Sequence, residues 1–163
     1  MEKEFKIFEE LVALAPQHVK DELERLKTYE EESKWHPEAN VFEHIKIVVN
    51  RLITTGDIDL IMAGLYHDIG KLLAAEKTLE KEGKFRAFGH EHIGAKWVIK
   101  DAEFIKSVGA NVDNVEIIVS NHMRMKQLDD MNKSKVDAMK ALTMWDKLVI
   151  FSRADSMLTE FKL

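Results

Sequence analysis

Leu60-Ile61-Met62-Ala63-Gly64-Leu65-Tyr66-His67-Asp68-Ile69-Gly70-Lys71-Leu72-Leu73 is apolar on nearly every side, as expected of a helix buried in the middle of a domain. Within it stand His67, Asp68 and Lys71. An unpaired carboxylate in such a place costs roughly several kcal/mol even after relaxation. Something must compensate it. Adjacent histidine and aspartate are both good ligands, so a bound cation is the economical answer, and a cation there needs further ligands from other segments.

Upstream, residues 40–55 predict a helix. Asn40 is placed to cap it, and Glu43 three residues later completes a capping box. Its stripe is Val41, Ile45, Val48 and Leu52, with His44 at the edge of the buried face. Gly56 stops that helix, and Asp57 caps the central one, about 58–78. Residues 2–14 and 17–34 read as two earlier amphipathic helices divided near Pro16, the second ended by Trp35-His36-Pro37. Downstream, the polar residues 79–89 predict a loop, with room for a short ribbon near Lys84–Phe88. A helix from Gly89 or His90 to about residue 107 follows, closed by Gly109. Val112–Met125 is the next helix, with Val115, Ile118 or Val119, and His122 on one face. A loop at 126–134 precedes helices at Lys135–Leu142 and Thr143–Phe161. In the last, Asp155 continues an apolar stripe of Trp145, Leu148 and Phe151. The chain carries no repeat, linker composition or strand alternation. It predicts an all-α single-domain bundle of about seven or eight helices.

The bulk composition narrows the function. A chain of 163 residues suits one domain, here 1–163, with a real core. Its net charge of −5 disfavours tight binding of duplex nucleic acid, while leaving room for a local basic site. It has no cysteine, hence no disulfide framework and no thiolate zinc site. No apolar run approaches about 18 residues, so no membrane partner is expected. The first thirty residues are charged and unlike a signal peptide, which predicts a cytoplasmic location.

Polar groups that stand where apolar ones are expected number few: His44, His67, Asp68, His122 and Asp155, with His90 at a helix start. Imidazole and carboxylate together suit divalent first-row transition metals (Mn, Fe, Ni, Co or Zn), whereas Mg²⁺ prefers oxygen, though it stays open. Six such ligands exceed what one ion with open positions needs. They fit two ions sharing a bridging Asp68, an arrangement that activates water and holds a phosphoryl group.

His44, then His67-Asp68, then Asp155, in that order, resembles the H…HD…D signature of the HD-domain metal-dependent phosphohydrolases. His67-Asp68-Ile69-Gly70-Lys71 matches the common HDxGK form. His36-Pro37-Glu38 before Val41-Phe42-Glu43-His44, Gly89-His90-Glu91 before Gly94-Ala95, and Val119-Ser120-Asn121-His122 are similar to the HD domain attached to bacterial tRNA nucleotidyltransferases. The resemblance covers about residues 36–156 and leaves 1–35 as N-terminal helices. The Gly-Ser pair and paired aspartates of the nucleotidyltransferase head are missing, so the expectation is a free-standing HD module without nucleotide addition. The resemblance implies an all-α HD-like fold, one or two divalent metal ions, and hydrolysis of a phosphoester. For this branch that means a 2′,3′-cyclic nucleotide phosphodiesterase or phosphatase working through a metal-activated hydroxide. The substrate would be a small nucleotide or an RNA-end phosphate.

In this reading His44, His67, Asp68 and Asp155 hold the first metal. The bland alternative is a buried His–Asp hydrogen-bond network. His90 and His122 join Asp68 around a second ion, or else bind substrate phosphate. Asp68 and Lys71 are the catalytic candidates. Lys71 either neutralises phosphate or pairs with a ligand carboxylate, and Arg124 either binds phosphate or is solvated. Glu91 caps its helix or orients a ligand. His18 and His92 are expected to face solvent, and His36 to be structural. Competing functions are a nucleoside 5′-monophosphatase or other nucleotide hydrolase, and a non-catalytic nucleotide-binding or partner-binding module.

Overall fold

Every residue from Ile58 to Tyr66 is buried, and the other helices are arranged around that fact. The computed structural model describes residues 2–30 and 40–156. Among these it contains ten α-helices: α1 Phe8–Leu14, α2 Gln17–Leu26, α3 Val41–Ile53, α4 Ile58–Tyr66, α5 Lys71–Glu82, α6 His90–Lys100, α7 Ala102–Ser107, α8 Val112–Lys126, α9 Lys133–Lys140 and α10 Trp145–Ala154. A short 3-10 turn lies at Leu128–Asp130. The fold is all-α. Helix α4 packs against α3 and α8, and α8 packs in turn against α6 and α10. No helix among the described residues is long and apolar enough to cross a membrane.

Local signals place the first elements. The Asn40 side chain accepts from the Glu43 N–H at 2.8 Å and starts α3. Asp57 accepts from the N–H groups of Asp59 and Leu60 and starts α4. Gly56 lies between them with φ +68°, in the left-handed region that ends helices. The break expected at Trp35-His36-Pro37, the 27–34 end of the second helix beyond Tyr29-Glu30, and the end of the last helix beyond Ser156 fall wholly or partly outside the described residues.

The central segment departs from expectation. A single helix over 58–78 is predicted, but α4 stops at Tyr66 and α5 starts at Lys71. The Ile69 N–H reaches the Tyr66 carbonyl and the Lys71 N–H the Asp68 carbonyl, so His67–Gly70 form tight turns. Helix α6 crosses close against this turn: a Cβ on Gly70 would stand 2.8 Å from Ile93 Cβ and 2.9 Å from the His90 carbonyl oxygen. Gly94 works the same way one turn on, where a Cβ would lie 2.6 Å from the Tyr66 carbonyl oxygen. These two glycines let α6 approach the α4–α5 junction closely.

Other boundaries shift for identifiable reasons. The loop expected over 79–89 is shorter, because α5 continues to Glu82 and ends on Gly83 with φ +71°. No strand occurs among the described residues, so the ribbon near Lys84–Phe88 is absent there. The helix expected from 90 to 107 divides into α6 and α7 at Asp101, whose side chain is held by residues from elsewhere in the fold. His18, expected to face solvent, is one of them: its Nε2 lies 2.8 Å from Asp101 Oδ1, and its ring packs edge-on against Trp97. The loop expected at 126–134 contains the 3-10 turn and the start of α9.

Candidate metal centre

Five elements bring the six candidate ligands together. His44 lies on the buried face of α3, His67 and Asp68 form the α4–α5 turn, His90 is the first residue of α6, His122 lies on α8, and Asp155 directly follows α10. All six are buried; Asp68 and His67 are fully so.

The atoms fall into two sets that share one residue. His44 Nε2, His67 Nε2, Asp68 and Asp155 form the first, and Asp68, His90 and His122 the second. In the first, His44 Nε2 is 2.8 Å from Asp155 Oδ1 and 3.3 Å from Asp68 Oδ2. His67 Nε2 is 3.2 Å from both of those oxygens and 3.4 Å from His44 Nε2. In the second, Asp68 Oδ1 is 3.1 Å from His90 Nε2 and 3.5 Å from His122 Nε2, and the two imidazole nitrogens are 3.2 Å apart. Asp68 thus turns one oxygen to each set.

The imidazoles are aimed. The Nδ1–H of His67 donates to the Gly64 carbonyl at 2.7 Å, that of His90 to Ala87 at 3.0 Å, and that of His122 to Val119 at 2.6 Å. A carbonyl can only accept, so in each ring the proton sits on Nδ1. Nε2 is then left to offer its lone pair, or to take a second proton. Such outer contacts are the usual way a ligating histidine is oriented. Phe151 stacks edge-on behind His67 at 5.3 Å between ring centroids and fixes the ring from the other side.

The donor set fits a cation on two counts. Both Asp68 oxygens are buried and accept no hydrogen bond, although imidazole nitrogens and the Lys71 Nζ stand within 3.5 Å of them. Orphaned carboxylate oxygens of this kind call for an unrecorded partner. The spacing also matches: nitrogen and oxygen ligands about 2.1 Å from an ion lie about 3.0 Å apart at right angles and about 3.4 Å apart at the tetrahedral angle. The alternative of a buried His–Asp hydrogen-bond network does not satisfy Asp68.

Two lysines temper the negative charge. Lys71, buried at the start of α5, reaches Asp68 Oδ2 at 3.4 Å, which places it with a ligand carboxylate. Lys126 Nζ lies 3.1 Å from Asp155 Oδ2. Arg124 is exposed on α8, and two residues past His122 it lies on the opposite side of the helix. Lys126, one turn past His122, is the α8 cation that reaches the site. Arg51 also contributes from α3: its guanidinium donates to the Ala154 and Ser156 carbonyls, both at 3.0 Å, and so clamps the backbone on either side of Asp155. Glu91 lies in the first turn of α6, and its Oε1 is buried without a hydrogen bond. His92 is exposed, and His36 lies outside the described residues.

Protonation in the metal-free protein follows from these contacts. Burial pushes the His67 imidazole down, but the charges of Asp68 and Asp155 together outweigh it and carry His67 up to about 10. Burial would raise Asp68, yet His67 and Lys71 hold it well below the ordinary carboxylate range. Asp155 is opposed by burial in the same way and lowered by His67 and Lys126. His122 is pushed down, chiefly by burial, and stays neutral. A cation entering the first set therefore displaces a proton from His67, whereas the second set already offers a neutral His122.

Comparison with known proteins bears on the whole of this core. A family model described as HD domain matches residues 41–158. No curated protein matches the chain.

Proposed function

The chain belongs to the HD-domain family of metal-dependent phosphohydrolases, and from that premise we propose that it hydrolyses the 2′,3′-cyclic phosphate of a nucleotide or an RNA end. The observation that carries the reading is the Asp68 carboxylate, buried with both oxygens unsatisfied and turned to two sets of imidazole nitrogens. The choice of a cyclic phosphodiester rests on the resemblance of the Gly89-His90-Glu91 and Gly94-Ala95 segment and of Val119–His122 to the HD domain of nucleotidyltransferases.

His44, His67, Asp68 and Asp155 would hold one divalent ion, and Asp68, His90 and His122 a second. Such ions supply Lewis acidity at phosphoryl oxygens and lower the pKa of water towards about 7. The protein's own groups do the positioning. His67, His90 and His122 are held by backbone carbonyls, so their Nε2 atoms keep their place as the substrate arrives. Lys71 and Lys126 place positive charge beside the carboxylates and favour an incoming phosphate dianion or diester. Water adds to phosphorus, one ribose P–O bond breaks, and the released ribose oxygen takes up the proton. The chain has no cysteine, and no serine nucleophile is needed.

A substrate panel tests the proposal. Purified protein loaded with Mn²⁺, Ni²⁺, Co²⁺ or Mg²⁺ is given 2′,3′-cyclic nucleotides, nucleoside 5′-monophosphates and an aryl phosphate. The expected result is chelator-sensitive turnover fastest on the cyclic nucleotides. Faster turnover of 5′-monophosphates would replace the substrate assignment with a monophosphatase. Absence of turnover together with failure to bind metal would favour a non-catalytic module.

A further inference from the structure

The loop that leads into His90 reads Gly83-Lys84-Phe85-Arg86-Ala87-Phe88-Gly89, cations alternating with aromatics. It borders a groove of about 330 Å³ between α5 and the start of α6, lined by Lys77, Thr78 and Lys81 on one wall and Phe88, His92 and Lys96 on the other. That volume is at the lower end of about 300–1,000 Å³ for small-ligand sites. Lys77, Lys81 and Lys96 are exposed, and none of the three makes an ion pair among the described residues. The one carboxylate in the lining, Glu82, faces Arg86 at 3.9 Å. Phe88 is 80% exposed, and its ring stacks on no other aromatic ring among the described residues. Phe85, by contrast, packs on Tyr29 at 5.5 Å.

Position matters as much as composition. The groove begins at Ala74, one turn beyond Lys71, and Lys81 lies about 15 Å further along the helix axis than Lys71, at 1.5 Å per residue. Its other wall includes Gly89, the residue before the candidate ligand His90. The groove therefore abuts the segment that carries one candidate ligand, with a basic wall and an exposed ring beside it. In a chain of net charge −5, the placing of three unpaired lysines around one exposed ring is local charge complementarity to a polyanion that also has flat, stackable groups. Single-stranded nucleic acid has both, and proteins bind it by a basic groove combined with aromatic stacking. A duplex hides its base faces, and an acidic peptide has none.

We propose that this α5–α6 groove binds single-stranded RNA immediately upstream of its terminal phosphate, so that the enzyme works on RNA ends in preference to free nucleotides. The inference rests on the cyclic-phosphate reading above and deepens it.

The test separates the two. A fluorescent RNA octamer with a 3′-hydroxyl end cannot be hydrolysed at a cyclic phosphate, so its binding, read by anisotropy, reports on the groove alone. Binding is expected to weaken with salt with a log–log slope of about −2, for roughly three lysine–phosphate contacts. The triple variant Lys77→Glu, Lys81→Glu, Lys96→Glu should lose at least about tenfold in affinity, and Phe88→Ala about tenfold. Both variants should hydrolyse a 2′,3′-cyclic mononucleotide as the parent does, while kcat/KM on a cyclic-ended octamer falls in step with binding. Equal binding by parent and variants overturns the inference, as does tighter binding of a duplex, equal competition by polyglutamate, or binding confined to a DNA octamer. A protein that hydrolyses cyclic mononucleotides but binds no octamer loses this inference and keeps the proposed reaction. One that binds the octamer through these residues but hydrolyses nothing does the reverse.

Discussion

Asp101 and Asp68 both sit in a break between two helices, and both are buried, yet their surroundings differ in kind. Asp101 accepts from the Tyr66 hydroxyl at 2.7 Å and pairs with His18. Burial, and then the bond to Asp101, push the Tyr66 hydroxyl above its ordinary range, so it remains a donor throughout the working pH. Asp59, in α4, is likewise satisfied by the Asn111 N–H, the Asn114 amide and Lys147. Around Asp68 stand nitrogens whose ring partners already donate elsewhere. A buried carboxylate is therefore not a functional mark by itself. The mark is a buried carboxylate ringed by aimed imidazole nitrogens, with neither oxygen accepting a well-formed hydrogen bond.

The contrast can be broken most sharply by exchanging the two losses. Asp68→Ala should keep its helical circular dichroism but lose more than about a hundredfold in metal affinity, beyond what removal of an outer contact costs, and with it all turnover. Asp101→Asn should do the opposite, binding metal normally while losing about 1–3 kcal/mol of stability to denaturant. If Asp101→Asn emptied the site and Asp68→Ala did not, the distinction drawn between them would be wrong. At the next level, His122→Ala should lower metal content from about two ions per chain to about one, measured by mass spectrometry of metals in chelator-free preparations. Unchanged content would confine the metal to the first set.

Protons supply a finer probe. His67 is raised to about 10 in the metal-free protein, so its charge contributes stability that is fully present below about 6.5 and is lost as pH rises through about 10. Metal-free protein should accordingly become easier to unfold with urea between those limits. Metal loading should release about one proton per ion into the first set, read by calorimetry in buffers of different ionisation enthalpy. The smallest effect is expected for Lys126→Met, which removes a cation from Asp155 Oδ2 without touching a ligand nitrogen. It should change metal affinity by about tenfold or less.

What could be read from the chain in advance was what depends on near neighbours. Asn40 and Asp57 bond to amides two or three residues on, so the starts of α3 and α4 follow from the local sequence. Five of the six candidate ligands stand out as polar groups where apolar ones are expected, a pattern that needs no partner to be seen, and His90 stands at a helix start. The breaks at His67–Gly70 and at Asp101 were not legible, and both stand at tertiary contacts: α6 close against Gly70 in one case, and His18, 83 residues away, in the other. The role of Arg51 is hidden for the same reason, its carbonyl partners lying more than 100 residues further along the chain. Lys126 was within reach, because it lies one helical turn after His122 on the same side, whereas Arg124 does not.

His44 and Asp155 touch at 2.8 Å across a separation of 111 residues. In the chemistry of folding this is a loop closure, and an ion gripping both ends acts as a cross-link in a chain that has no cysteine to make one. By analogy with a disulfide, closing a loop of that length removes unfolded-state entropy worth on the order of 4–5 kcal/mol. The ion that equips the site for chemistry would then also staple the first part of the HD core to its last, and stripping it would loosen the whole bundle.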